Sequence, residues 1–124
     1  MISGICLTKE IEAAHFLLKY KGKPEGVHGH TWKIEVFFEG ELNDEDYLLD
    51  FIEVENYFDS INKNFNHSCF NDFPYFKTKS PTTENIAIYY FNEFQKFVQS
   101  YKFVKLTRVN VWEGRNNFAF YKVS

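Results

Sequence analysis

The sequence predicts an α+β fold in the order ββααββ: a four-stranded antiparallel sheet with two helices on one face. Two observations lead there. Apolar residues fall at alternate positions near both ends of the chain, the period of a half-buried strand, whereas between Asp50 and Tyr101 they recur at three- and four-residue steps, the period of an amphipathic helix. Antiparallel hairpins that share one helix-covered face are the simplest way to layer such a series.

Residues 2 to 14 read as extended, with Ile5 and Leu7, then Ile11, Ala13 and His15, at alternate positions. A polar loop with glycine and proline, "KYKGKPEGVHG", follows. In "TWKIEVFFEG", Trp32, Ile34, Val36 and Phe38 share one face, and Lys33, Glu35 and Glu39 take the other. From Asp50 the helical face is Phe51, Val54, Phe58, Ile61 and Phe65, and Asp50 with Glu53 resembles a capping box. "NHSCFNDFPYFKTKS" has no period and reads as a loop. A second helix starts at "SPTTEN", where hydroxyls can cap it and Pro81 suits the first turn; its face is Ile86, Tyr90, Phe94, Phe97 and Tyr101. Leu106, Arg108 and Asn110 then alternate with Thr107, Val109, Val111 and Glu113, and "NFAFYKV" alternates again after a turn at Gly114. Many aromatics on these strands would leave an uncovered sheet face apolar, which predicts an oligomer.

The 124 residues read as a single domain, 1–124, without repeats or a linker, and 44% hydrophobic residues suffice for a core. A net charge of −3 argues against a nucleic-acid partner, which would need a basic face. Lys9, Glu10 and Glu12 interrupt the N-terminal apolar stretch, so it does not read as a signal peptide, and no run is long enough to cross a membrane. Cys6 and Cys69 make no disulfide framework. These features predict a cytoplasmic protein.

His28 and His30 lie two apart, so in an extended chain both imidazoles point to one side. Pairing of the first two strands would bring His15 beside them, giving three histidines, the ligand number of a catalytic zinc site with one open position. The alternative is three ordinary polar residues at a loop edge. His67 reads either as an exposed loop histidine or as a general acid/base near neutrality. Glu113 reads either as a surface carboxylate at a hairpin end or as a bidentate acceptor for a planar heterocycle.

Six stretches in order carry a resemblance: "AAH" at 13–15, "HGH" at 28–30, "LLDF" at 48–51, "NHSCFN" at 66–71, "PTTENIA" at 81–87 and "VWEG" at 111–114. Together they resemble the 6-pyruvoyltetrahydropterin synthase family, which includes the 6-carboxytetrahydropterin synthases, over nearly the whole chain. The resemblance implies a tunnelling fold that oligomerises into a barrel, as a homo-trimer or a hexamer of stacked trimers, with active sites between subunits. It implies Zn2+ on His15, His28 and His30, a role for His67 in catalysis, and a pterin anchored by Glu113 with Thr82, Thr83 and Glu84 near the ring. The usual substrate is 7,8-dihydroneopterin triphosphate; Lys9, Lys19, Lys21 and Lys23 are candidates to meet its phosphates, with none singled out.

Two departures bear on the reaction. The family's usual cysteine base, four residues before "HGH", is replaced by Pro24, which has no titratable group. Asn66 stands where the family has an aspartate to orient the histidine at position 67. "EGVHGH" instead resembles a variant group with glutamate three residues before the histidines. That group is associated with cleaving the side chain to give 6-hydroxymethyl-7,8-dihydropterin, which makes Glu25 the candidate base. The alternatives are a 6-pyruvoyl- or 6-carboxytetrahydropterin synthase with another base, a pterin-binding relative without catalysis, and a small interaction protein without metal.

Overall fold

A computed structural model describes all residues, 1–124. Strands β1 (Ser3–His15) and β2 (His28–Gly40) form a long antiparallel hairpin, followed by helix α1 (Phe51–Asn62), the short strand β3 (Ser68–Cys69), helix α2 (Thr83–Val98), and strands β4 (Val104–Glu113) and β5 (Asn117–Lys122). The α+β class and the order of long elements agree with the sequence reading. The sheet differs in having five strands, ordered β3-β1-β2-β4-β5, because Ser68 and Cys69 add to β1 in parallel. No helix is long and apolar enough to cross a membrane.

Strand alternation sets the core. Leu7, Ile11 and Ala13 on β1, Trp32, Ile34, Val36 and Phe38 on β2, and Leu106, Val109 and Val111 on β4 are all buried in one cluster, against Val54, Phe58 and Ile61 of α1 and Ile86, Tyr90 and Phe94 of α2. Leu106 and Val109 cannot both face inward on a regular strand. The register shifts opposite Phe37 and Phe38, so that Arg108 pairs with Phe37 but Leu106 with Phe38, and the extra residue Thr107 restores both apolar neighbours to the core. The simple alternation read from sequence therefore fails at Thr107.

Asp50 caps α1, its carboxylate accepting from the Ile52 N–H at 2.9 Å. Glu53 does not complete a capping box; its Oε2 accepts from the Tyr101 hydroxyl at 2.6 Å, tying α1 to the end of α2. Phe51, expected on the buried face, is 53% exposed at the first turn. Thr82 is the cap of α2, so Pro81 lies just outside the helix instead of in its first turn. Phe65 is fully buried beyond α1, stacked at 4.6 Å on Phe70.

Gly40 ends β2 against Val104, where an added Cβ would collide with the Phe103 carbonyl oxygen. Because the obstacle is backbone, Gly40→Ala is expected to cost about 1–3 kcal/mol by overpacking, read as a lower urea midpoint at unchanged slope.

Candidate active site

Strand alternation also builds the site. His15 ends β1 directly opposite His28, which opens β2. His28, His30 and Trp32 point to the core face, as do Ala13 and His15, and Glu113 joins them opposite Trp32 on β4. At this end of the sheet the face that buries the core changes from apolar side chains to imidazoles and a carboxylate.

The ligating atoms of His15, His28 and His30 all lie within 4.8 Å of one another, a group able to hold a metal ion. His15 Nδ1 lies 2.8 Å from the Pro81 carbonyl oxygen, and His28 Nδ1 lies 2.9 Å from that of Gly26. A carbonyl only accepts, so each Nδ1 carries the hydrogen and each Nε2 keeps a bare lone pair. Those two Nε2 atoms face each other at 3.0 Å. Two lone pairs at that distance repel unless a proton or a metal ion lies between them. His30 Nε2 is buried without any hydrogen-bond partner. Three such nitrogens, two of them oriented from behind by carbonyls, fit the donor set and outer shell of zinc.

Burial pushes the His15 pKa below its ordinary value of 6.5, against the Pro81 carbonyl and the Glu113 carboxylate, which pull it up. The imidazole is thereby held in the neutral form that ligation requires. Trp32 walls the site from the core: its ring stands edge-to-face at 4.8 Å from His15 and 5.5 Å from His30, and its Nε1 donates to the Ala13 carbonyl at 3.0 Å.

Glu113 lies against the histidines, with Oε1 3.3 Å from His15 Nε2 and Oε2 3.8 Å from His30 Nε2. The Thr83 hydroxyl donates to Oε1 at 3.2 Å. The Thr82 hydroxyl is used as the helix cap, accepting from the Asn85 N–H, and Glu84 is exposed in the first turn; neither is among the groups that touch the histidines.

Glu25 is fixed on the other flank. Its N–H donates to the Leu17 carbonyl and its Oε1 accepts from the Leu17 N–H, both at 3.0 Å. The same oxygen lies 3.8 Å from His28 Nδ1. His67 is exposed and left-handed, with φ 61°, and its N–H donates to the Glu12 carbonyl. It lines a cleft of about 680 Å³ with His30, Glu12, Thr31 and Cys69. Asn66 does not serve His67; its Oδ1 accepts from the Glu12 N–H at 2.9 Å and anchors the segment to β1. The structure thus gathers His15, His28, His30, Glu113, Thr83 and Glu25, and sets His67 in the adjoining cleft.

Sequence reasoning does not find Trp32, Pro81 or Gly26. Trp32 has a signal, being two residues beyond His30 on the same strand face. The carbonyls of Pro81 and Gly26 have none, since any residue supplies a carbonyl.

The family model for 6-pyruvoyl tetrahydropterin synthase matches residues 4–124. A dihydroneopterin monophosphate aldolase of Pyrococcus furiosus is 36% identical over 90 residues, 73% of each chain. The 6-pyruvoyl tetrahydrobiopterin synthase of Homo sapiens is 32% identical over 111 residues, 85% of this chain and 74% of that one. Among solved structures, 6-pyruvoyl tetrahydropterin synthase of Caenorhabditis elegans superposes with a TM-score of 0.84 at 23% identity, covering 100% of this chain and 97% of the other. That of Plasmodium vivax gives 0.78 at 18% identity, covering 98% and 97%. The fold is therefore the tunnelling fold of these synthases, and the chain belongs to the 6-pyruvoyl tetrahydropterin synthase family, whose relatives here are lyases of pterin metabolism.

Proposed function

We propose that this chain is a cytoplasmic, zinc-dependent lyase that cleaves the side chain of phosphorylated 7,8-dihydroneopterin, with Glu25 as base. Its product would be 6-hydroxymethyl-7,8-dihydropterin. One observation carries the reading: Pro24 removes the usual base, while the Glu25 carboxylate is held beside His28 by the Leu17 N–H. The Plasmodium vivax neighbour supports it, since forms of that protein with a glutamate changed to alanine or cysteine are described as catalytic-residue mutants. The Pyrococcus furiosus relative supports an aldolase-type cleavage and makes a monophosphate an alternative to the triphosphate substrate.

His15, His28 and His30 would hold the zinc, which when bound makes a side-chain hydroxyl easier to deprotonate. Glu113, steadied by Thr83, would accept hydrogen bonds from the pterin ring, with Thr82 and Glu84 near it. Glu25 takes a proton from a side-chain hydroxyl, and the adjacent carbon–carbon bond breaks to release an aldehyde. The electron pair passes into the ring system, and a proton returns to the carbon that stays with the pterin; His67 is the acid assigned to that return. The outer edge of β1 is paired only near Ala13 and Ala14, and β5 has an open edge. These edges run antiparallel to each other, so copies can join head to tail into a closed barrel with sites between subunits. A homo-trimer or a hexamer of two trimers is the proposed assembly.

The test incubates zinc-loaded protein with dihydroneopterin triphosphate and, separately, the monophosphate, and identifies the pterin by mass spectrometry. The expected product is 6-hydroxymethyl-7,8-dihydropterin. A 6-pyruvoyl or 6-carboxy product would make the chain a synthase instead, and binding without turnover would refute the enzyme reading.

A further inference from the structure

We propose that Asn71 is a positioning residue for the Glu25 base: its side-chain amide clamps the Phe16 backbone and so sets Leu17, which holds the Glu25 carboxylate, relative to His15. The proposal rests on the lyase reading above and adds the residue that places its base.

Phe16 stands where the sheet runs out. The ladder between β1 and β2 ends at His15 opposite His28, and β3 reaches only Ala13 and Ala14. After Cys69 the chain leaves β1 in a single turn of tight helix, Phe70–Asp72. The Asn71 side chain takes over there, offering one acceptor and one donor as a peptide group does. Its Oδ1 accepts from the Phe16 N–H and its Nδ2 donates to the Phe16 carbonyl, both at 2.9 Å. The Cys69 thiol also donates to Oδ1, at 3.5 Å, so two donors face the oxygen end and a carbonyl faces the NH2 end. Asn71 is buried, and no other side chain is bonded to either Phe16 group.

The neighbours of Phe16 give the clamp its consequence. On one side is His15, whose ring is oriented by the Pro81 carbonyl. On the other is Leu17, whose N–H and carbonyl both bond to Glu25 at 3.0 Å. Ser80 Oγ accepts from the Leu18 N–H at 2.9 Å, so Leu17 lies between two side-chain clamps. Only that of Asn71 lies between the anchor of the base and a metal ligand. A base is effective over a narrow range of positions, and a shift of about 1 Å can cost a hundredfold in rate. Releasing Phe16 frees Leu17 to move, and the Glu25 carboxylate moves with it.

The test compares wild type, Asn71→Ala, Glu25→Gln and the double variant, all zinc-loaded, by steady-state kinetics and by hydrogen exchange of the Leu17 amide. Asn71→Ala is expected to lower kcat about 10–100-fold with KM within about twofold and zinc content unchanged. The double variant should be no slower than Glu25→Gln alone, because a misplaced base that is already lost costs nothing more. Leu17 exchange should quicken about tenfold or more in Asn71→Ala, while the Ile34 amide in the middle of β2 keeps its protection. Tyr90→Phe, which removes a buried 2.6 Å bond to Asn62 in the core, is the control for general loosening and should keep the wild-type kcat. Unchanged kcat or unchanged Leu17 exchange in Asn71→Ala overturns the proposal. So do losses that multiply in the double variant, or an equal loss in Tyr90→Phe. If alanine prevents folding, Asn71→Asp is measured instead: it keeps the acceptor for the Phe16 N–H but sets a carboxylate against the Phe16 carbonyl. It should lower kcat and quicken Leu17 exchange, and wild-type values of both overturn the proposal. Wild-type protein without turnover, in which Leu17 exchange still depends on Asn71, refutes the lyase reading and leaves the clamp standing.

Discussion

Replacing Glu25 by glutamine is expected to lower kcat by about 10²–10⁴-fold, the range for removal of a general base, with zinc content and pterin affinity unchanged. The substitution is informative because it separates position from chemistry. Glu25 Oε1 accepts the Leu17 N–H, and the amide oxygen of glutamine can accept the same bond, so the loop that joins His15 to His28 keeps its shape. What glutamine cannot do is take a proton. Alanine at the same place would lose the Leu17 bond as well and confuse loop disorder with lost basicity. A variant that keeps full activity would sink the assignment and direct attention to His67 and Cys69, which line the neighbouring cleft. A fall in zinc content would show instead that the carboxylate supports His28, from whose Nδ1 it lies 3.8 Å.

What the sequence makes legible depends on how each feature is encoded. The long elements are readable because their apolar periods persist over ten or more residues, and the same alternation places His15, His28 and His30 on one face. Their convergence needed only that β1 and β2 pair as a hairpin with His15 opposite His28. Local exceptions are not readable in this way. Ser68–Cys69 is too short to show a period and becomes a strand only because β1 offers an open edge. The extra residue at Thr107 is invisible to a rule that counts by twos. Phe51 is apolar, but the first turn of α1 carries it outward. Glu113 shows a third case. Its type and strand are plain in the sequence, yet its placement against His15 and under the Thr83 hydroxyl depends on α2 packing its N-terminus beside the end of β4. Roles that rest on backbone carbonyls, as at Pro81 and Gly26, leave no trace in side-chain identity.

The metal site is tested most cleanly at His28. His15 is 2% exposed and packs against Trp32, so truncating it would open a cavity and mix folding with ligation. His28 is partly exposed, its side chain at 38%, and removing it leaves the core intact. Wild-type protein is expected to hold about one zinc per chain by elemental analysis. Losing one of the protein ligands should weaken zinc by about 10²–10³-fold, since a full structural site is worth roughly 10–16 kcal/mol across four ligands. Zinc should therefore raise the melting temperature of the wild type, by mass action on the folded state, and leave that of His28→Ala almost unmoved. Acidification should act in the same direction. Protons compete with zinc for the His15 nitrogen, and burial, which lowers that imidazole's pKa, keeps the nitrogen available at neutral pH. Protein that carries no zinc, and whose melting temperature and pterin binding are the same with and without His28, would remove the central claim about this site. If instead His28→Ala loses zinc but keeps Glu113-dependent pterin binding, the carboxylate and the histidines act as separable halves, one for the ring and one for the metal.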